Sequence, residues 1–331
     1  MLKKSQSGGD EAAFEPEHEA KIKPYLLKEH EKPKYLEYDN TGIDYVRFGK
    51  YPQGKNGEEL PIIWRVIDIA VNEANEKTAF LMAERILDCV PYHDQDVIIN
   101  WKNSDIRAWL NGDKIADGND RWKTLEQYSD SDKSFYDTAF SELTEEEREK
   151  YIIPNLNYGN GVDSSRDEDG IPAFNYDNEV DSSRDEDERL ERTDNETCSA
   201  AMDYVFLMNT LEFKVYSDSF GTERHDPKRR AVASDWLREL NRTENLKKIY
   251  IDGYKDGLEY NDADNDDLDG YLTIDGERRG CSWWWLRNRG RGGSRSVAYM
   301  DIVGYIHVGE YYDCVCYNNI GVRPCIYVRL T

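Results

Sequence analysis

The chain has 331 residues, with 67 Asp and Glu against 43 Lys and Arg, a formal net charge of −24. That balance argues against a general binder of nucleic-acid backbones, which needs a basic face, and against an anionic membrane surface as the partner. No apolar run reaches the roughly 18 residues of a spanning helix, so no membrane insertion is expected.

Residues 1–40 are polar and charged, carry Pro24 and Pro33, and read as a tail. They lack the apolar stretch of a secretory signal, so the chain is expected to be cytoplasmic by default, with a phage particle or cell-surface delivery by another route as the alternative. A single domain is expected over 41–331. Tyr45–Gly49 and Pro61–Ile67 have strand composition around a turn rich in Pro, Gly and Asn, and Ala79–Ala83 is a third apolar run. Ile106, Trp109 and Leu110 recur at helical spacing, with Asn103 or Ser104 to start the helix and Gly112 to stop it. Ser141 or Thr144 can cap a second helix whose glutamates suit its N-terminal dipole. Asp203–Leu207 reads as a strand, and 230–241, with Val232, Trp236 and Leu240 on one side, as a helix.

Two acidic stretches, 158–196 and 252–277, hold too little apolar content for a core and are expected to be partly disordered surface insertions. The first repeats Val162–Asp169 at Val180–Asp187. From Arg278 onward the charge inverts to +5, with eight arginines against Asp301, Glu310 and Asp313. Ser296–Met300, Tyr305–Val308 and Val322–Leu330 alternate as strands do. The chain is therefore expected to be α+β.

Few motifs carry chemistry on their own. Asn265, Asp267, Asp269 and Gly270 imitate the start of a calcium loop, but its twelfth position is Gly276, flanked by Asp275 and Glu277, so the bidentate glutamate is missing. A solvated acidic loop is the expected reading. The six cysteines contain no Cys-x-x-Cys pair and are expected to be free, mostly buried thiols; Cys314 and Cys316 would share one strand face. The five histidines are scattered, so no metal and no cofactor are expected. Gly290–Gly293 lacks the lysine of a phosphate loop. Arg287, Arg289, Arg291 and Arg295 could grip an anion or face the chain's own acidic insertions. Trp283–Trp285 is expected to supply core.

Several motifs nevertheless fall in one order: Phe48-Gly49-Lys50-Tyr51-Pro52-Gln53, Ile63-Trp64-Arg65-Val66, Trp101-x-x-Ser104-x-x-Arg107-x-Trp109-Leu110-Asn111-Gly112, Ala139-Phe140-Ser141, Val205-Phe206-Leu207-Met208, Trp284-Trp285-Leu286-Arg287 and Gly321-Val322-Arg323-Pro324. The ordered set resembles a bacterial and phage family, domain of unknown function 6273, from about Val46 to Leu330. Asn288 stands where that family usually has serine, and the insertions are longer and more acidic. The resemblance implies a C-type-lectin-like fold of the formylglycine-generating-enzyme type. It also implies a relation to the variable proteins of diversity-generating retroelements, in which a C-terminal stretch diversified at adenines forms an exposed binding face.

Here that stretch is Arg287–Asn319. It holds only Met300 and Glu310 from the set Lys, Glu, Gln, Met and Trp, which diversification at asparagine codons cannot reach. A strand-rich segment is also poor in Lys and Glu. The reading is a non-enzymatic display or receptor-binding protein for a macromolecular ligand, protein or glycan. The residues expected to bind are Asn288, Arg289, Arg291, Ser294, Tyr299, Asp301, Tyr305, His307, Tyr311, Tyr312, Asp313, Tyr317 and Asn318. Tyr and Arg are the usual interface anchors. The alternatives are a structural or regulatory domain and a thiol- and copper-dependent oxidase, for which the Cys314 and Cys316 spacing does not match. Trp64, Trp109, Trp284, Leu286 and Val322 are expected in one buried cluster.

Overall fold

The computed structural model describes residues 23–72, 74–115, 120–129, 133–157, 165–166, 172–173, 201–223, 225–242, 270–289, 295–307 and 315–330. Its strands are β1 (Tyr25–Leu26), β2 (Tyr45–Pro52), β3 (Glu59–Val71), β4 (Lys77–Ala83), β5 (Asp88–Cys89), β6 (Ile152–Ile153), β7 (Asn155–Asn157), β8 (Ser165–Arg166), β9 (Pro172–Ala173) and β10 (Ala201–Asp203). The C-terminal part adds β11 (Tyr271–Ile274), β12 (Glu277–Gly280), β13 (Trp284–Arg289), β14 (Val297–Met300), β15 (Ile306–His307), β16 (Gly321–Val322) and β17 (Cys325–Leu330). The α-helices are α1 (Asp105–Asn111), α2 (Phe135–Ala139), α3 (Glu145–Tyr151), α4 (Glu212–Val215), α5 (Ser217–Phe220) and α6 (Asp235–Arg242). The chain is thus α+β.

An antiparallel sheet in the order β1-β2-β3-β4-β17-β6 brings the C-terminal strand beside the N-terminal ones. The Ile-Tyr-Val run of β17 pairs with β4 from Cys325↔Met82 to Leu330↔Lys77. A second sheet runs β15-β14-β13-β16-β5, with β13 and β16 parallel. Trp64, Trp109, Trp284, Leu286 and Val322 all fall in one buried cluster, as their motifs led us to expect.

The remaining motif residues are joints. Gly49 has φ 68°, and a Cβ there would lie 2.7 Å from the Ala139 carbonyl oxygen, so only glycine lets α2 pack on β2. Ser104 caps α1 by accepting from the Arg107 N–H, and every residue of α1 is buried. Asn111 donates to the Arg107 and Val205 carbonyls and accepts from the Tyr204 and Val205 N–H groups. Its amide therefore serves the backbone of Tyr204 and Val205, between the end of β10 and the Phe206 bridge to Cys325. Thr144, not Ser141, caps α3, through a reciprocal bond with Glu147.

Arg65 and Arg323 meet Glu84 in the interior. Arg65 donates from Nε to Glu84 Oε2 at 2.9 Å and from Nη2 to Oε1 at 2.6 Å. Arg323 donates to the Ala83 carbonyl at 2.7 Å, holds Nη2 3.5 Å from Glu84, and lies over the Trp284 ring. Burial pushes the Glu84 carboxyl up, but Arg65 and then Arg323 outweigh it and hold it below the ordinary glutamate value.

Four expectations need correction. Residues 23–40 are a strap, not a tail: β1 pairs with β2, Leu27 is buried, and Tyr35 bridges Ile274. Tyr35 stacks on Tyr38, with centroids 4.5 Å apart, and donates to Glu84, so the aromatic content of this polar stretch is what docks it. The 252–277 stretch ends in structure, because Asp275 and Gly276 (φ 52° and 84°) turn a hairpin that pairs Ile274 with Glu277. Its Glu277 binds Arg279; Asn265, Asp267 and Asp269 lie outside the described residues. The helix expected over 230–241 starts only at Asp235, because Val232 and Ala233 bridge Cys281 and Ile86. The strand expected over 203–207 is β10 followed by a single bridge, Phe206 to Cys325. Most of 158–196 lies outside the described residues; within it β8 pairs with β9.

Candidate functional site

The first residues of the 287–319 stretch face inward. In β13 the two tryptophans go to opposite faces, and Trp285 Nε1 donates to the Val90 carbonyl at 3.0 Å. Arg287 is buried, pairs with Glu212 at 2.9 Å and lies 5.4 Å from the Phe206 ring centroid. Burial lifts the Glu212 carboxyl above its ordinary value, more than Arg287 pulls it down. Asn288, also buried, accepts from the Thr210 N–H at 2.7 Å. Arg287 is therefore no surface grip and Asn288 no ligand contact; both tie β13 to the 208–212 segment.

Beyond them the chain gathers at one end of the second sheet. Arg289 pairs with Val297, Tyr299 pairs with His307, and the Val315 N–H donates to the Arg295 carbonyl at 2.9 Å. The His93 N–H donates in turn to the Val315 carbonyl. The departures at Arg289 and His307 and the returns at Arg295 and Val315 thus share one end. Arg295, with 61% of its side chain exposed, pairs with Asp96 at 2.6 Å. Beside Asp96, Val97 and Ile98 are 37% and 57% exposed, and Tyr317, two residues past Val315, is 39% exposed. The base of this loop is fixed by Asp105, which lies 2.6 Å from His93 Nδ1 and 3.0 Å from Arg121.

A row of rings runs along the edge of the same sheet. Trp283 and Tyr299 have centroids 5.2 Å apart, Tyr299 and His307 stack at 4.7 Å, and Tyr305 meets His307 edge-on at 4.7 Å and His225 at 5.7 Å. Asp301 orders the turn: Oδ1 accepts from the Val303 and Tyr305 N–H groups, and Oδ2 lies 3.0 Å from His307 Nε2. Trp283, Asp301, Tyr305, His307 and His225 are half-buried.

Of the expected binding residues, Asp301, Tyr305 and His307 come together on this edge, while Tyr317 and Asn318 lie near β16 and β5, where Cys89 Sγ contacts the Asn318 carbonyl. Tyr299 is 5% exposed and serves as the floor of the ring row rather than as an exposed contact. The Arg289 side chain, Arg291, Ser294, Tyr311, Tyr312 and Asp313 lie outside the described residues. Sequence reading missed Asp96, Val97, Ile98, Trp283 and His225. The apolar run Val97-Ile98-Ile99 in an otherwise polar loop was the available signal.

The cysteines divide. Cys89, Cys281 and Cys325 are free and buried. Cys316 is disulfide-bonded, against the expectation of free thiols, with a partner outside the described residues. Among the described residues no three His, Cys, Asp or Glu side chains gather as a metal site, and no helix is long and apolar enough to cross a membrane. Comparison with known protein families, characterised proteins and solved structures finds no match.

Proposed function

We propose that the chain is a ligand-binding display protein with a C-type-lectin-like fold, whose 287–319 stretch presents the binding surface for a macromolecule. The observation that carries this reading is the convergence of Arg289, Arg295, His307 and Val315 at one sheet end, beside exposed Val97, Ile98 and Tyr317. A mixed patch of apolar residues and an arginine is the composition of a protein–protein contact, which favours a protein ligand over a glycan. The two buried arginine–glutamate pairs and the fully buried α1 supply a rigid base, as a precise surface requires.

The test is capture from host-surface extracts by the immobilised chain and by a variant carrying Arg295→Ala, Tyr305→Ala, His307→Ala and Tyr317→Ala. The expected result is loss of the captured protein while the variant keeps one cooperative urea transition. Equal capture by both chains refutes the reading. A reverse-transcriptase gene and a near-identical template repeat beside the gene would support diversification of the stretch.

A further inference from the structure

Away from that surface, a cleft of about 320 Å³ opens between the strap and the first sheet. Such a volume lies at the small end of ligand sites, roughly 300–1,000 Å³. Its apolar wall is Pro33, Tyr35, Pro61, Ile63 and Ile274.

Arg85 is the one cation among the described residues that line the cleft, beside Glu84 and Asp235, whose own partners are Arg65, Arg323 and Arg279. Arg65 and Arg323 share Glu84, and Arg279 takes both Asp235 and Glu277. Arg85 is left over. Its nearest carboxylate oxygen, on Asp235, is 3.8 Å away, beyond hydrogen-bond reach, and Arg85 makes no hydrogen bond to the described residues. Burial and then the neighbouring Arg279 both press against its charge. At the outer lip Glu31, on the strap, and Asp275, in the hairpin turn, are exposed carboxylates, and each shows an oxygen beyond the one that accepts from Tyr25 and Lys28 or from Lys34.

We propose that this cleft binds a small zwitterion, a free α-amino acid or a dipeptide, with its carboxylate on Arg85 and its ammonium at the lip formed by Glu31 and Asp275. The arginine fork matches a carboxylate in a bidentate way, and a fork without a hydrogen-bonded partner gains most from one. The apolar side chain of the ligand packs on Ile63, Pro61 and the Tyr35 ring. Tyr35 couples the site to the interior, because its hydroxyl donates to Glu84.

The test is isothermal titration of the full chain with L-leucine, L-phenylalanine and L-alanyl-L-leucine, with L-leucinamide and N-acetyl-L-leucine as controls. Saturable binding of at least one zwitterion is expected. Leucinamide lacks the carboxylate and acetyl-leucine the ammonium, so each should bind at least about tenfold more weakly, a loss of about 1.4 kcal/mol. Arg85→Gln should abolish binding without moving the urea midpoint. Asp275→Asn, an exposed turn residue, is a second variant; it should weaken leucine and leave acetyl-leucine unchanged. Absence of saturable heat with all three zwitterions overturns the assignment. So does leucinamide or acetyl-leucine binding as tightly as leucine, or undiminished affinity in Arg85→Gln.

Discussion

Replacing Glu84 by glutamine keeps the shape of the side chain and removes the one negative charge between two buried arginines. Arg65 and Arg323 are 1% and 0% exposed, so neither can turn to water when the charge goes. Breaking a buried ion pair by removing one partner costs about 3–5 kcal/mol, because the remaining charge is left uncompensated. Two guanidinium groups are stranded here, so the upper part of that range is expected for Glu84→Gln. Glu212→Gln should cost much less, because burial already opposes the Glu212 charge more than Arg287 supports it. Urea unfolding at neutral pH, read by tryptophan fluorescence, gives both values. Equal midpoints for Glu84→Gln and the parent would refute the reasoning.

The pH dependence separates the two pairs more sharply. Glu84 is held below the unfolded value of about 4.3, so its charge contributes stability that is present above that value and lost as pH falls through the folded value. The gap between parent and Glu84→Gln should therefore narrow in acid. Glu212 is raised by burial, so its folded form favours the proton, and its contribution weakens as pH rises through the unfolded value toward the folded one. The gap between parent and Glu212→Gln should widen in acid. Gaps that move the same way would show that one of the two fields is misassigned.

Trp109→Ala removes a fully buried ring and should cost about 3–5 kcal/mol in urea unfolding. Gly49→Ala should destabilise by at least about 1–2 kcal/mol, from the left-handed backbone alone, before its contact with the Ala139 carbonyl is counted. Thr144→Ala should cost about 1 kcal/mol through loss of the α3 cap, whereas Ser141→Ala should be near neutral. Excision of 160–195 with a short Gly/Ser bridge should leave one cooperative transition, because Asn157 pairs directly with Ala201 and the flanking strands β7 and β10 are already side by side; a broad, non-cooperative transition would contradict this.

Much of the frame was legible because its signals are local. Ser104, the apolar spacing of α1 and Gly112 act within one helix, and the β17 run declares itself by composition. What escaped reading is long-range. Nothing near Tyr35 or Tyr38 in sequence says that their rings will cap an arginine–glutamate pair, so a polar composition looked like a tail. Arg65 and Arg323 sit in separate motifs and Glu84 in none, and only the pairing of β4 with β3 and β17 brings them together. The late start of α6 has the same cause: Val232 and Ala233 fit a helical stripe but are taken by bridges to Cys281 and Ile86.

The candidate surface shows why residue type alone divides badly into core and rim. Arg287 and Arg295 are eight positions apart and chemically identical. One is sealed against Glu212 and Phe206, and the other reaches solvent beside Asp96. Tyr299 and Tyr305 divide likewise, one under the ring row and one at its edge. Depth in the second sheet decides each case: β13 is central, with β14 and β16 on either side, whereas β15 is terminal in the strand order. A surface built this way can vary at exposed Arg295 and Tyr317 with little cost to the fold, at half-buried Tyr305 and His307 with some, and least of all at Arg287, Asn288 or Tyr299. The stretch that the sequence marks as one uniform binding segment is therefore two things: an inner strand that fixes geometry, and an outer set that is free to change.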